Sequence, residues 1–343
     1  MPFIADLQKY KSLSIVGMDK NTGKTVCLNY VLSRLKDLGV KTAVTSIGID
    51  GERVDQVFGS HKPEIVLYEG MQFITSEKHY NTRQLLSKVT DVDTERTALG
   101  RLITAEVLCS GKVLLSGAGT TEKLRRQINT FEHNNMDITI IDGALSRMSL
   151  ASPSVTDAMI LCTGAAVSPN IRQLILKTRF TFDLINLAAI DNIDLGNRLS
   201  QHTAGLWAVD NDGMIHDLEI PSVFLLEKST QDIFSHGNTL YVSGAVSDKL
   251  LKYLSTKKNI TEQTLIVRDF TKLFVTPEVY AAYTKKGGRI KVLQQSKLVA
   301  VCLNPTSPQG YTIDSAEACL RLSETLGVPT WDVCKINNRH SNI

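Results

Sequence analysis

Nine consecutive residues, Gly17-Met18-Asp19-Lys20-Asn21-Thr22-Gly23-Lys24-Thr25, have the types and spacing to hold a phosphate group. Glycine lets the backbone curl until its N–H groups converge, and it lets an anion come close. A helix starting there adds the partial positive charge of its N-terminus. Lys24 would reach the terminal phosphates of a nucleotide, and the Thr25 hydroxyl would sit on Mg2+. The spacing is unusual. Five residues, one more than in the common pattern, separate Gly17 from Gly23, and Met18 stands where the first glycine normally falls.

The flanks decide between a phosphate loop and an accidental Gly-Lys-Thr. Leu13-Ser14-Ile15-Val16 is a short apolar, β-favouring run. Cys27, Leu28, Val31, Leu32, Leu35 and Leu38 recur at helical spacing, and Gly39 stops the helix. Strand, glycine-containing loop, helix is the context that phosphate binding requires.

Two further carboxylates belong to the same chemistry. Ile138-Thr139-Ile140-Ile141-Asp142-Gly143-Ala144 reads as an apolar strand ending in Asp142, whose carboxylate would approach the metal through a water. Lys41 to Gly48 reads as a second strand that runs into Ile49-Asp50-Gly51-Glu52. Asp50 would hold the metal through water or orient an attacking water; a solvated Asp-Gly turn explains it equally well. The set is Lys24 and Asp50 for catalysis, Gly17, Asn21, Thr22, Gly23, Lys24 and Thr25 for nucleotide, and Thr25, Asp50 and Asp142 for Mg2+. Arg147 could contact phosphate but reads more simply as a surface residue, and Asn170 is a candidate for lining the base.

The remaining chain alternates strands and helices. Glu64 to Gly70 reads as a short strand, and residues 71–93 as a polar stretch that fits a lid or partner-binding insertion but reads more simply as a surface excursion. Leu99, Leu102, Ile103, Val107 and Leu108 mark a helix. Lys112 to Ser116 is a strand, followed by the small turn Gly117-Ala118-Gly119-Thr120-Thr121. That turn fits either an approaching ligand or a tight connection. After the strand Ala158–Cys162, Ser168 reads as an N-cap with Pro169 at the first helical position. Gly205 to His216 reads as a β-hairpin around Asp210-Asn211-Asp212-Gly213. Strands then recur at 239–243, 264–267, 289–293, 298–303 and 330–333. The expected fold is α/β: a P-loop domain over 1–195 with a mainly parallel sheet, a hairpin joint over 196–238, and a smaller α/β domain over 239–343. Loops at 243–248, 268–272 and 304–311 would gather at one edge of that second sheet, with Arg268, Asp269 and Lys272 as its most charged group; ordinary surface loops are the plainer reading.

Composition narrows the classes. At 343 residues the chain suits two domains, and 43% hydrophobic with 21% charged residues is ordinary for a globular protein. A net charge of +3 without a dense Lys/Arg run gives no nucleic-acid signature. None of the six cysteines forms a Cys-x-x-Cys pair, so buried free thiols are expected rather than metal ligands. The N-terminus lacks signal organisation, and no apolar run would span a bilayer. A cytoplasmic protein is the expectation.

The Gly17-x-Asp19-x-x-x-Gly23-Lys24-Thr25 loop resembles that of the dethiobiotin synthetase and cobyric acid synthase group, in the P-loop class that also holds the deviant-Walker ATPases. Ile141-Asp142-Gly143-Ala144 is similar to the Glu-Gly-Ala element of dethiobiotin synthetases, with aspartate for glutamate. The resemblance covers about the first 190 residues. It implies that Lys24 and Thr25 bind phosphate and magnesium and that Asp50 and Asp142 lie near the metal. The substrate-binding lysine element of those synthetases and the amidotransferase Cys/His pair of cobyric acid synthases are not recognisable, so neither activity carries over. In overall character and in Asn21-Thr22-Gly23-Lys24-Thr25, the chain resembles the family of ATP-dependent reactivating-factor subunits associated with B12-dependent lysine 5,6-aminomutase. That resemblance implies ATP and Mg2+ as cofactors, and the aminomutase and a second reactivase subunit as partners. A homodimer is also compatible. The competing expectations are an ATP-dependent small-molecule ligase or kinase, and a nucleotide-binding scaffold that never hydrolyses.

Overall fold

A computed structural model of the chain describes residues 3–47, 64–144, 152–228, 233–332 and 334–335. It is α/β, in two compact units: Met1–Arg179 with Lys297–Ile343, and Phe180–Ser296, which is inserted between those segments.

The first unit begins with α1 (Ile4–Leu7), β1 (Ser12–Gly17), α2 (Lys24–Asp37) and β2 (Thr42–Ser46). It continues through β3 (Ile65–Leu67), β4 (Gln72–Ser76), α3 (Glu77–Asn81), β5 (Gln84–Thr97) and β6 (Gly100–Val113). Next come α4 (Thr121–His133), β7 (Ile138–Ala144), β8 (Ala158–Gly164) and α5 (Ile171–Ile185), which leads into the second unit. That unit holds α6 (Ile193–Ser200), β9 (Leu206–Val209), β10 (Ile215–Asp217), β11 (Thr239–Val242), β12 (Val246–Ser247), α7 (Asp248–Leu254), β13 (Thr264–Val267), β14 (Leu273–Phe274), α8 (Pro277–Lys285) and β15 (Arg289–Val292). The chain returns to the first unit with β16 (Leu298–Asn304), α9 (Ser315–Leu326) and β17 (Thr330–Asp332).

The main sheet has ten strands in the order β17-β16-β8-β1-β7-β2-β4-β6-β3, with β5 paired to β6. From β17 to β4 every pairing is parallel; β3, β4 and β5 all run antiparallel to β6. Strands β1, β2 and β8 are buried along their whole length, as expected of parallel strands covered on both faces. Helix α2 buries Cys27, Leu28, Val31, Leu32 and Leu35 in the same core as Leu13 and Ile15. Each such side chain contributes about 1.5–3 kcal/mol. Leu38, at the helix end, is half exposed. The second unit has a five-stranded sheet, order β10-β9-β11-β13-β15, in which β11, β13 and β15 are parallel, and a small β12-β14 pair.

Four expectations are corrected. Residues 99–108 are not a helix; most of them lie in β6, hairpin-paired with β5. The true period is two: Ile103, Ala105 and Val107 point into the core, and Ala105 carries no weight in an apolar count. The supposed excursion over 71–93 contains β4, α3 and most of β5, whose polar sequence reflects exposure on both faces. The strands near 298–303 and 330–333 are β16 and β17, and they join the main sheet beside β8 instead of the second sheet. The pairing Cys302 with Cys162 and Asn304 with Gly164 closes that side. The hairpin at 205–216 forms as expected, with Asp210 Oδ1 accepting from the N–H groups of Asp212 and Met214, but it is the edge of the second sheet rather than a joint.

All six cysteines are free: Cys27, Cys162 and Cys302 are buried, Cys319 and Cys334 are half-buried, and Cys109 is exposed. Burial pushes the Cys319 and Cys334 thiols up to about 11. The folded protein at pH 8 should therefore show one fast thiol toward Ellman's reagent. Cys109→Ser should remove that phase, and denaturant should expose the rest. A fast phase surviving in Cys109→Ser would contradict this placement of the cysteines.

Candidate functional site at the carboxyl edge of the main sheet

The sheet register assembles the site. Gly17, the last residue of β1, is level with Ala144 of β7 and Cys162 of β8. The loop from Met18 to Gly23 therefore starts at the carboxyl edge of a parallel sheet, and the Met18 N–H is tied to the Cys162 carbonyl at 2.9 Å. Two residues adopt the left-handed conformation: Asn21 with φ 59° and Gly23 with φ 85°. Thr22 is buried and donates from Oγ1 to the Asp19 carbonyl at 2.9 Å, which draws the loop together. Helix α2 then begins with Gly23 as its N-cap and no side-chain cap. Among the described residues, the backbone N–H groups of Thr22, Gly23, Lys24 and Thr25 meet no protein acceptor. Uncapped N–H groups at a helix N-terminus make an anion site.

Lys24 folds back across Gly17. A β-carbon there would lie 2.8 Å from Lys24 Cγ and closer still to Thr22 Oγ1, so residue 17 has to be glycine for close approach. The lysine stem brings Nζ to 3.7 Å from Oδ1 of Asp142, with both side chains about one-fifth exposed. Asp142 is held by the pairing of β7 with both β1 and β2, opposite Ile15 and Ser46. Its Oδ1 is shielded from solvent and, among the described residues, has no hydrogen-bond partner. An orphaned carboxylate oxygen of this kind normally has an unseen partner, such as a water or an ion. Here it faces the lysine over the open loop, with the Thr25 hydroxyl in the first turn of α2. These donors fit Mg2+ bound mostly by phosphate oxygens and water, with one hydroxyl and one outer carboxylate from the protein. Among the described residues there is no cluster of three or more metal-ligating side chains, so a fully protein-made metal cage is not the arrangement.

A residue expected in the second unit completes the loop. Asn304, at the end of β16, donates from Nδ2 to the Asn21 carbonyl at 3.0 Å. Its Cβ would sit 2.8 Å from a β-carbon on Gly23. Periodicity could not reveal this contact, because it depends on which sheet β16 joins.

Of the expected residues, the structure brings together Gly17, Asn21, Thr22, Gly23, Lys24, Thr25 and Asp142. Asp50 and Arg147 lie outside the described residues. Asn170 has another job: its Oδ1 accepts from the Gln173 N–H at 3.1 Å and caps α5, while Ser168 accepts from the Asn170 N–H. The Gly117–Thr121 turn is a tight connection. Gly117 lies flat on the Ser46 carbonyl, and Thr120 caps α4. Three charged side chains of the second-unit loops serve their own fold: Arg268 donates to the Ser200 carbonyl, buried Asp269 accepts from Thr271, and Asp248 accepts from Thr276.

No family model, curated protein or solved structure matches the chain. Chemically, the arrangement can hold a polyphosphate anion by backbone N–H groups, a lysine and a helix dipole, with a carboxylate at the place where a metal would be steadied.

The glycines give a direct check of this geometry. Gly17→Ala should lower the melting temperature by several degrees, since overpacking costs about 1–3 kcal/mol. Gly119→Ala, at a position with nothing within 4 Å, should be neutral. Equal melting temperatures would mean that Lys24 and Thr22 do not crowd residue 17.

Proposed function

We propose that the chain binds Mg2+·ATP at the 17–25 loop and hydrolyses it to act on a partner enzyme. The observation that carries this reading is the uncapped, left-handed loop over which Lys24 faces the unsatisfied Oδ1 of Asp142 at 3.7 Å. The loop N–H groups and Lys24 would hold the β- and γ-phosphates. Thr25 would contribute its hydroxyl to the metal, and Asp142 would orient a metal-bound water. When bound, the metal would offset charge developing on the transferred phosphoryl group. The preference for ATP rests on the lack of a guanine-reading Asn-Lys-x-Asp sequence.

The second half of the proposal, action on a partner, is supported by the fate of the second-unit loops. A ligase or kinase would hold its metabolite with polar groups left available, whereas Arg268, Asp269 and Asp248 serve their own fold. Resemblance to reactivating-factor subunits suggests a B12-dependent aminomutase as the partner. A dead cofactor trapped in such an enzyme is released only by a conformational change, which nucleotide hydrolysis can drive.

Calorimetric titration with Mg2+·ATP should give binding by the wild type and an affinity about a hundredfold lower for Lys24→Ala. Asp142→Asn should retain nucleotide but lose much of the dependence on Mg2+. Equal affinity in wild type and Lys24→Ala would sink the nucleotide reading. Phosphate release stimulated by a small metabolite alone would replace the partner reading with a ligase or kinase. Bound nucleotide with no release under any addition would leave a scaffold.

A further inference from the structure

We infer that Asn304 is a positioning residue for the phosphate loop, a role that rests on the nucleotide reading of that loop. Both side-chain polar atoms and the backbone carbonyl of this residue are committed. Nδ2 donates to the Asn21 carbonyl at 3.0 Å, 283 positions away in sequence. Oδ1 accepts from the Thr306 N–H at 3.2 Å and from Cys334 Sγ at 3.7 Å. The backbone carbonyl accepts from the Ala165 N–H at 3.0 Å, close against Gly164, where no side chain intervenes. One asparagine thus joins the phosphate loop to the loops after β8 and β16.

The contact with Asn21 sets the direction of the loop amides. Asparagine tolerates φ 59° better than other residues with a side chain, and the contact with Asn304 holds it there. The Asn21 carbonyl and the Thr22 N–H belong to one planar trans peptide, so they point in opposite directions. Fixing the carbonyl on Asn304 therefore turns the Thr22 N–H away from Asn304, where no protein acceptor meets it among the described residues. The packing of Asn304 Cβ against Gly23 fixes the next left-handed residue as well. Asn304 needs no contact with nucleotide to do this; it acts through the peptide it clamps.

The test uses the full-length protein and Mg2+·ATP, with folding of each variant checked by circular dichroism and melting. Asn304→Ala loses the donor, and affinity should fall about five- to tenfold, the worth of one hydrogen bond, at every pH. Asn304→Asp keeps the size and the Thr306 contact but sets a carboxylate oxygen against the Asn21 carbonyl. Its affinity should fall about a hundredfold at pH 8. As pH drops toward 5 the protonated carboxyl becomes a donor, and the ratio to wild type should recover. A merely structural role would not produce that pH-dependent rescue. Should Asn304→Ala fail to fold, Asn304→Asp carries the comparison alone. Variants that bind like wild type at every pH overturn the role of Asn304 and leave the nucleotide reading standing. A wild type that fails to bind Mg2+·ATP overturns both.

Discussion

The site depends on the parallel pairing of β1 along both of its edges. That pairing sets Gly17 level with Ala144 on one side and Cys162 on the other, and β16 extends the same edge to Asn304. Residues separated by more than a hundred positions therefore end at one height, where the chain must leave the sheet. Parallel strands impose this, because each needs a crossover and all crossovers begin at the same edge. A register slip of one residue in β7 would turn Asp142 to the opposite face of the sheet and remove it from Lys24. Such a slip is opposed because β7 is paired with β1 on one side and β2 on the other, and both ladders would have to break.

The loop itself is unfavourable. It keeps Asn21 in a left-handed conformation and, among the described residues, leaves the first N–H groups of α2 without acceptors and Asp142 Oδ1 with the Lys24 ion pair but no hydrogen bond. Backbone strain of this kind costs about 1–3 kcal/mol per residue and persists only where the surroundings over-determine it. The surroundings here are specific. Helix α2 is anchored through Cys27, Leu28, Val31, Leu32 and Leu35, the loop start is tied to Cys162, and its crest is tied to Asn304. Below the loop, Cys27 Sγ lies 3.6 Å from Cys302 Sγ. Hydrogen bonding to Cys162, with burial, holds the Cys27 and Cys302 thiols well above their ordinary range, so both remain neutral packing groups under the first turn of α2.

What the sequence made legible follows from what is local. The loop, its flanking strand and helix, and Asp142 at the tip of β7 could be read because period, glycine placement and a terminal carboxylate are local signals. Strand β6 was misread because Leu99, Leu102, Ile103 and Val107 fit a helical spacing by coincidence, while the alternation Ile103-Ala105-Val107 rests on an alanine. Asn170 looked available because a capping asparagine and a ligand-binding asparagine have the same sequence signature. Strands β16 and β17 were assigned to the wrong sheet because both units alternate strands with helices, and nothing in composition marks the return of the chain at Lys297. Asn304 was lost with them, since its role exists only through β16 pairing with β8.

That pairing also bears on how a phosphate loop could do work. The chain leaves the main sheet after β8 and comes back as β16, so the two strands that bracket the second unit in sequence are hydrogen-bonded neighbours. Both end against the phosphate loop, β8 through the Cys162 carbonyl on the Met18 N–H and β16 through the Asn304 amide on the Asn21 carbonyl. Binding of an anion by the loop amides acts on the peptides that these two contacts restrain. Both strands lie on the same side of β1, so a change in loop geometry would bear at once on the two strands that bracket the inserted unit in sequence.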